Sequence, residues 1–187
     1  MNVDASGTKT SASDVVAFWR NAGPKRWFEK DFAFDQEIRE RFLDGHEAAA
    51  DGKLTAWERN AEGALALLIL LDQFPRNMFR GSARAFATDP LARAVADRAI
   101  ARGFDAGAPS AERAFFYLPF EHSENLADQE RSLVLSRRAG DGKADKYAEI
   151  HADIIRRFGR FPHRNAVLGR ATTQQEQAFL DAGGFAG

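Results

Sequence analysis

The sequence predicts an all-α fold, and three observations carry the prediction. First, 34 Ala and 14 Leu stand against 18 β-branched residues, six each of Val, Ile and Thr. Ala and Leu lead the helix scale, whereas strands favour β-branched side chains. Second, no stretch shows the sustained apolar–polar alternation that a half-buried strand requires. Third, helix starts and stops recur along the chain as cap residues, first-turn prolines and closing glycines. They predict a polar N-terminal tail over residues 1–12 and one helical domain over 13–187, with about eight helices, short loops and no Pro- or Ser-rich linker.

The first helix is expected from Ser13 or Asp14 to about Ala22, with a cap and a first-turn acid at its start and Gly23-Pro24 at its end. A second runs from about Asp31 to Asp51. Phe34, Ile38 and Phe42 form its apolar ladder, Gly45 is placed to bend it and Gly52 ends it. The third opens on a capping box, Thr55 to Glu58, and runs through Ala64–Leu71 to Phe74, where Pro75 stops it. It is apolar all round after Gly63, which predicts a central, fully buried helix. Thr88-Asp89-Pro90 starts a fourth, which ends at Gly103. Further helices cover about Ser110–Phe120, Ser123–Ala139 and Lys143–Phe158, the last closed by Gly159. A second capping box, Thr173 to Glu176, begins the final helix, which ends before Gly183-Gly184. Trp19, Trp27 and Trp57 are expected in the core.

Composition removes several function classes. The 187 residues include no cysteine, which excludes disulfide scaffolds, thiolate zinc sites and Cys nucleophiles. Lys+Arg 26 against Asp+Glu 27 gives a formal charge of -1, unlike a dedicated nucleic-acid binder. The longest wholly apolar run is the eight residues Ala64–Leu71, too short to span a membrane. Met1–Ala12 has neither the basic nor the apolar region of a secretory signal, so a cytoplasmic location is expected. Neither H-E-x-x-H nor E-x-x-H occurs, and Gly140-Asp-Gly-Lys143 reads as a turn and not as a phosphate loop. No metal and no cofactor are expected.

Four places hold polar chemistry that a plain helical domain does not require. Asp72-Gln73 and Arg76-Asn77 follow the most apolar helix, and either pair locally and cap its end or bind a ligand. Between Ile154 and Gln175 there is no acid but there are five arginines (156, 157, 160, 164 and 170) and His163. Such a run either makes a field for a carboxylate or phosphate, or pairs with acids such as those of Glu121–Glu130. Glu121-His122-Ser123-Glu124 lies at a joint between helices; Ser123 and Glu124 suit a helix start, and His122 suits a general base. His151 shares the apolar face of its helix with Tyr147, Ile154 and Phe158, and is either a core residue or a site residue. There is also an internal echo: Phe74-Pro-Arg-Asn77 and Phe161-Pro-His-Arg-Asn165 each follow a helix about half a chain apart.

Leu71–Asn77, Leu118–Glu124 and the segment from His151 through Phe158–Arg170, with Val16–Trp19 and Trp27-Phe28, resemble the bacterial family known as domain of unknown function 924. The resemblance runs from about Ser13 to Leu180. It implies a tetratricopeptide-like stack of antiparallel helical hairpins and no particular activity. It also implies a site, because the motifs that mark the family are the polar places found above.

Three functions remain open. In the first, Arg76, Asn77, His163, Arg164 and Asn165 line a helical groove that holds a small anion or a peptide carboxylate. In the second, His122, Glu124 and His151 form the catalytic constellation of a small-molecule hydrolase, with arginines steadying negative charge. In the third, the polar motifs are buried networks that hold helices in register in a scaffold or interaction module.

Overall fold

The helix signals are obeyed, with informative exceptions. The computed structural model describes residues 9–139 and 143–185, and no strand forms among them. The glycine turn expected at 140–143 falls largely outside the described residues. The contacts gather into two compact units. One is Met1–Arg80 with Arg84–Pro119, and the other is Gly81–Ala83 with Phe120–Gly187.

In the first unit, α1 spans Ala12–Trp27 and α2 spans Phe32–Ala50. The cap of α1 is Ser11, whose hydroxyl accepts the Asp14 amide, so the helix starts earlier than Ser13. Thr10 is buried, and a side chain at Gly45 would meet it at 2.8 Å, so Gly45 serves close packing. Gly23 breaks α1 at φ 74°, as expected, but helical residues resume through Pro24–Trp27. Asp31 caps α2, and Phe34, Ile38 and Phe42 are buried along it. Trp19 and Trp27 are buried and stacked 5.9 Å apart, among Phe34, Phe74 and Phe115; Trp57 is only half-buried.

The capping box at Thr55 makes only a short 3-10 turn, Thr55–Arg59, because Glu58 turns to Arg98 instead. The buried helix begins afresh at α3 (Ala61–Leu68), with Asn60 accepting the Gly63 amide. A side chain at Gly63 would sit 2.1 Å from the Trp57 carbonyl oxygen, so that turn and α3 meet backbone to backbone. Every residue from Gly63 to Pro75 is buried. Pro75 does not stop the helix. Ile69–Gln73 widens to a π turn, and α4 (Phe74–Met78) continues the same course. Proline cannot bond the carbonyl four residues back. That carbonyl, Leu71 O, accepts the Thr88 hydroxyl at 2.6 Å instead. Thr88 therefore precedes α5 (Asp89–Ala101) without capping it through its side chain. α6 (Ser110–Glu121) follows, and its last two residues enter the second unit.

In the second unit, α7 (Leu126–Ala139) packs on α8 (Lys143–Phe158). α7 starts later than Ser123, because Asn125 accepts the Ala127 amide while Ser123 donates to Asp128. Gly159, at φ 69°, turns the chain into the 3-10 segment Pro162–Arg164. α9 (Gln174–Asp181) opens on the expected capping box. Ile154, Ile155 and Phe161 form one core cluster of this unit, with Phe158, Phe179 and Phe185 against it, and Leu133, Ala148 and Ala152 form another.

Candidate functional site

The two Phe-Pro motifs fall in different units, and each meets partners of its own unit. In the first unit, Arg76 donates to both oxygens of Asp89 at 2.9 and 3.0 Å, to Asp72 O at 2.6 Å, and lies 3.2 Å from Asp72 Oδ1. Burial opposes the Arg76 charge, but Asp72 and Asp89 more than offset it and raise its pKa. Two carboxylates thus share one guanidinium. Asn77 donates to Asp35 at 2.7 Å, and Arg80 grips the same carboxylate at 2.7 and 2.9 Å. Asp35 was legible in principle: it sits at the helical spacing of Ile38 and Phe42, an acid on a core face.

The second unit brings together residues from three segments. His151, on α8, places Nδ1 3.0 Å from Glu121 Oε1, at the end of α6, and 2.8 Å from Tyr147 O. Two acceptors at Nδ1 put the proton of the neutral ring there and leave Nε2 with the lone pair. His122 lies with its ring centre 6.4 Å from that of His151. His163, in the 3-10 segment, packs 5.6 Å from Phe161 and 5.5 Å from Phe185; His151 packs 5.5 and 4.5 Å from the same two rings. Two of the four histidines thus pack on one pair of phenyl rings, and His122 lies beside His151. Burial, then the charges of Arg164 and His151, lower His163 to about 3, so its ring is neutral near pH 7. Its Nδ1 is buried without a hydrogen-bond partner. Arg164 lies 4.4 Å over the Phe161 ring and donates to His122 O at 3.0 Å.

Most of the arginine run meets carboxylates. Arg156 pairs with Glu149, Arg157 approaches Asp153, and Arg160 grips Glu176 at 2.6 and 2.9 Å. Arg170 grips Glu124 at 2.7 and 3.0 Å and donates to Asn165 at 3.0 Å. Burial pushes the Glu124 carboxyl up, but Arg170, the Phe161 amide and Arg164 together hold it below the usual range. Glu124 thus anchors the Phe161 loop, and the wholly buried Asn165 orients Arg170. The carboxylate beside a histidine is Glu121, and the histidine is His151. The alternation of helix and loop gave no signal for that pairing, nor for Phe185. Among the described residues, no group of three or more His, Asp or Glu side chains is arranged to hold a metal ion, and no helix is long and apolar enough to cross a membrane.

Residues 15–184 match the family model described as bacterial protein of unknown function, domain of unknown function 924. The fold resembles the solved structure of a protein of unknown function from Agrobacterium tumefaciens, with a TM-score of 0.89 and 53% identity, over 91% of this chain and 97% of that one. No curated protein matches.

Proposed function

The chain belongs to the bacterial family domain of unknown function 924, whose description assigns no activity, and we propose from geometry that its second unit binds a small anionic molecule at the His122–His151–His163 cluster. The convergence of these three side chains, with the buried, partnerless Nδ1 of His163, carries the reading. Leaving a buried ring nitrogen unbonded costs about 1–3 kcal/mol, which an anion's oxygen would recover by accepting from Nδ1–H. Arg164 supplies the positive charge, and its planar fork suits a carboxylate or phosphate. The cluster of Arg76, Asn77 and Asp35 is then a structural network of the first unit, with Arg76 on Asp89 and Arg80 on Asp35.

The test is a thermal-shift screen with phosphate, sugar phosphates, nucleotides, di- and tricarboxylates and short peptides, on the wild-type chain and His163→Phe. A ligand at a hundred times its Kd adds about 2.7 kcal/mol, worth roughly 5–11 °C in a chain of this size. His163→Phe keeps the aromatic packing and removes both ring nitrogens. The expected result is an anion response in the wild type that His163→Phe abolishes without lowering the unliganded midpoint. A flat panel, or an equal response in the variant, overturns the reading.

The His151–Glu121 pair favours a second reading, a small-molecule hydrolase. A carboxylate that orients Nδ1 leaves Nε2 as a general base. Hydrolysis of a bound ester or phosphoester, lost in His151→Gln with binding retained, would support it; full turnover in that variant would overturn it.

A further inference from the structure

The first unit also has a surface feature that involves none of Arg76, Asn77 and Arg80. A cleft of about 260 Å³ opens between α1 and α2, with Phe18 and Phe34 among its walls. These rings stack 5.5 Å apart with 14° between their planes. A guanidinium covers each of them: Arg26 lies 4.2 Å over Phe34 and Arg41 lies 4.5 Å over Phe18. Both arginines line the cleft with Asn21, and so do two acids that are already engaged, Asp14 by the Ser11 hydroxyl and Glu37 by Arg41.

These two arginines are held by ring faces more than by acids. Arg26 meets Asp31 at one contact of 3.3 Å, and Arg41 meets Glu37 at one contact of 3.2 Å, with all four side chains 38–50% exposed. By contrast Arg80, Arg160 and Arg170 grip carboxylates with two short bonds each. Exposed single-contact pairs are weak and exchange readily for a better acceptor. A guanidinium with one face on a phenyl ring presents its other face for stacking and its N–H edge to an anion. Two such groups on one cleft, with Ala17 and Ala22 leaving space, fit a flat molecule that carries a carboxylate.

We propose that the cleft between α1 and α2 is a binding site for a small planar carboxylate, an arylcarboxylate, clamped by Arg26 and Arg41 over the Phe18–Phe34 stack. The carboxylate takes guanidinium N–H groups in place of Asp31 Oδ2 and Glu37, while Asp31 Oδ1 keeps its cap on α2, and the aryl ring stacks on a guanidinium face.

The experiment titrates the full chain with benzoate and follows the arginine Nε–Hε signals by NMR. Cyclohexanecarboxylate and inorganic phosphate serve as the non-planar and ring-free comparisons. Benzoate is expected to move the Arg26 and Arg41 signals saturably. The double variant Arg26→Lys/Arg41→Lys, with folding checked by circular dichroism, keeps both charges but loses the flat face, and is expected to bind about tenfold more weakly. Cyclohexanecarboxylate and phosphate are expected to bind several-fold more weakly than benzoate. No saturable shift, undiminished binding in the folded double variant, or equal binding of either comparison compound overturns the proposal. His163→Phe leaves this titration unchanged, so the two sites stand or fall separately.

Discussion

Replacing Arg76 with Met separates a structural role from a ligand-binding one. The guanidinium bridges Asp72 and Asp89, whose side chains are 1% and 8% exposed, and its own side chain is 21% exposed. Met fills most of the same volume and removes the charge, so two buried carboxylates lose their shared cation. Removing one partner of a buried pair costs about 3–5 kcal/mol. At about 2–4 °C per kcal/mol for a chain of 150–250 residues, the midpoint should fall by roughly 6–20 °C. Arg76→Lys keeps the charge but cannot present two parallel N–H groups to Asp89, so its loss should be smaller, about 1–2 kcal/mol. Denaturant unfolding followed by tryptophan fluorescence reads the first unit directly, because Trp19 and Trp27 lie in its core. If Arg76→Met unfolds within about 1 kcal/mol of the wild type, below the range for a buried pair, the structural reading is wrong. The same holds if it keeps its stability and loses an anion response.

Further outcomes follow from the same structure. Thr88→Val leaves Leu71 O, the carbonyl that Pro75 cannot serve, without its 2.6 Å donor, and chemical denaturation should show a loss of about 1–3 kcal/mol. In Gly63→Ala the new methyl would lie 2.1 Å from the Trp57 carbonyl oxygen, a contact that must be relieved by moving backbone. Its denaturation midpoint should drop by the equivalent of about 2–3 kcal/mol, and an unchanged midpoint would refute the packing argument. His163 has a folded pKa of about 3, below its unfolded value, so the unfolded chain takes up a proton first as pH falls. The stability it contributes is full above about pH 6.5 and drains away toward pH 3, by about 1–2 kcal/mol at pH 5, and His163→Phe should flatten that slope. Phe185→Ala uncovers His151 and His163, and NMR titration should show the His163 pKa rising from about 3 toward the ordinary range.

Whatever depends on near neighbours in the chain was legible beforehand. Asp31 and Thr173 were visible as helix starts because a cap bonds an amide two or three residues away. The burial of the third helix was visible because no polar face interrupts Ala64–Leu71. The misreadings share one cause. Thr55–Glu58 has the letters of a capping box, but Arg98, 40 residues on, takes the glutamate. Pro75 has the letters of a helix stop, but Thr88 serves the carbonyl it orphans.

The polar motifs divide in the same way. The sequence by itself marked Arg76, Asn77, His122, Glu124, His151, His163, Arg164 and Asn165 as residues that a helical core does not need. It also established the all-α class, since propensity and capping act over one or two turns. Only the tertiary structure decided which acid meets which base: Asp89 with Arg76, Asp35 with Arg80, Glu121 with His151, and Glu124 with Arg170. Those pairs join residues 13 to 46 positions apart, where closure of the chain and burial select partners and local spacing carries no information.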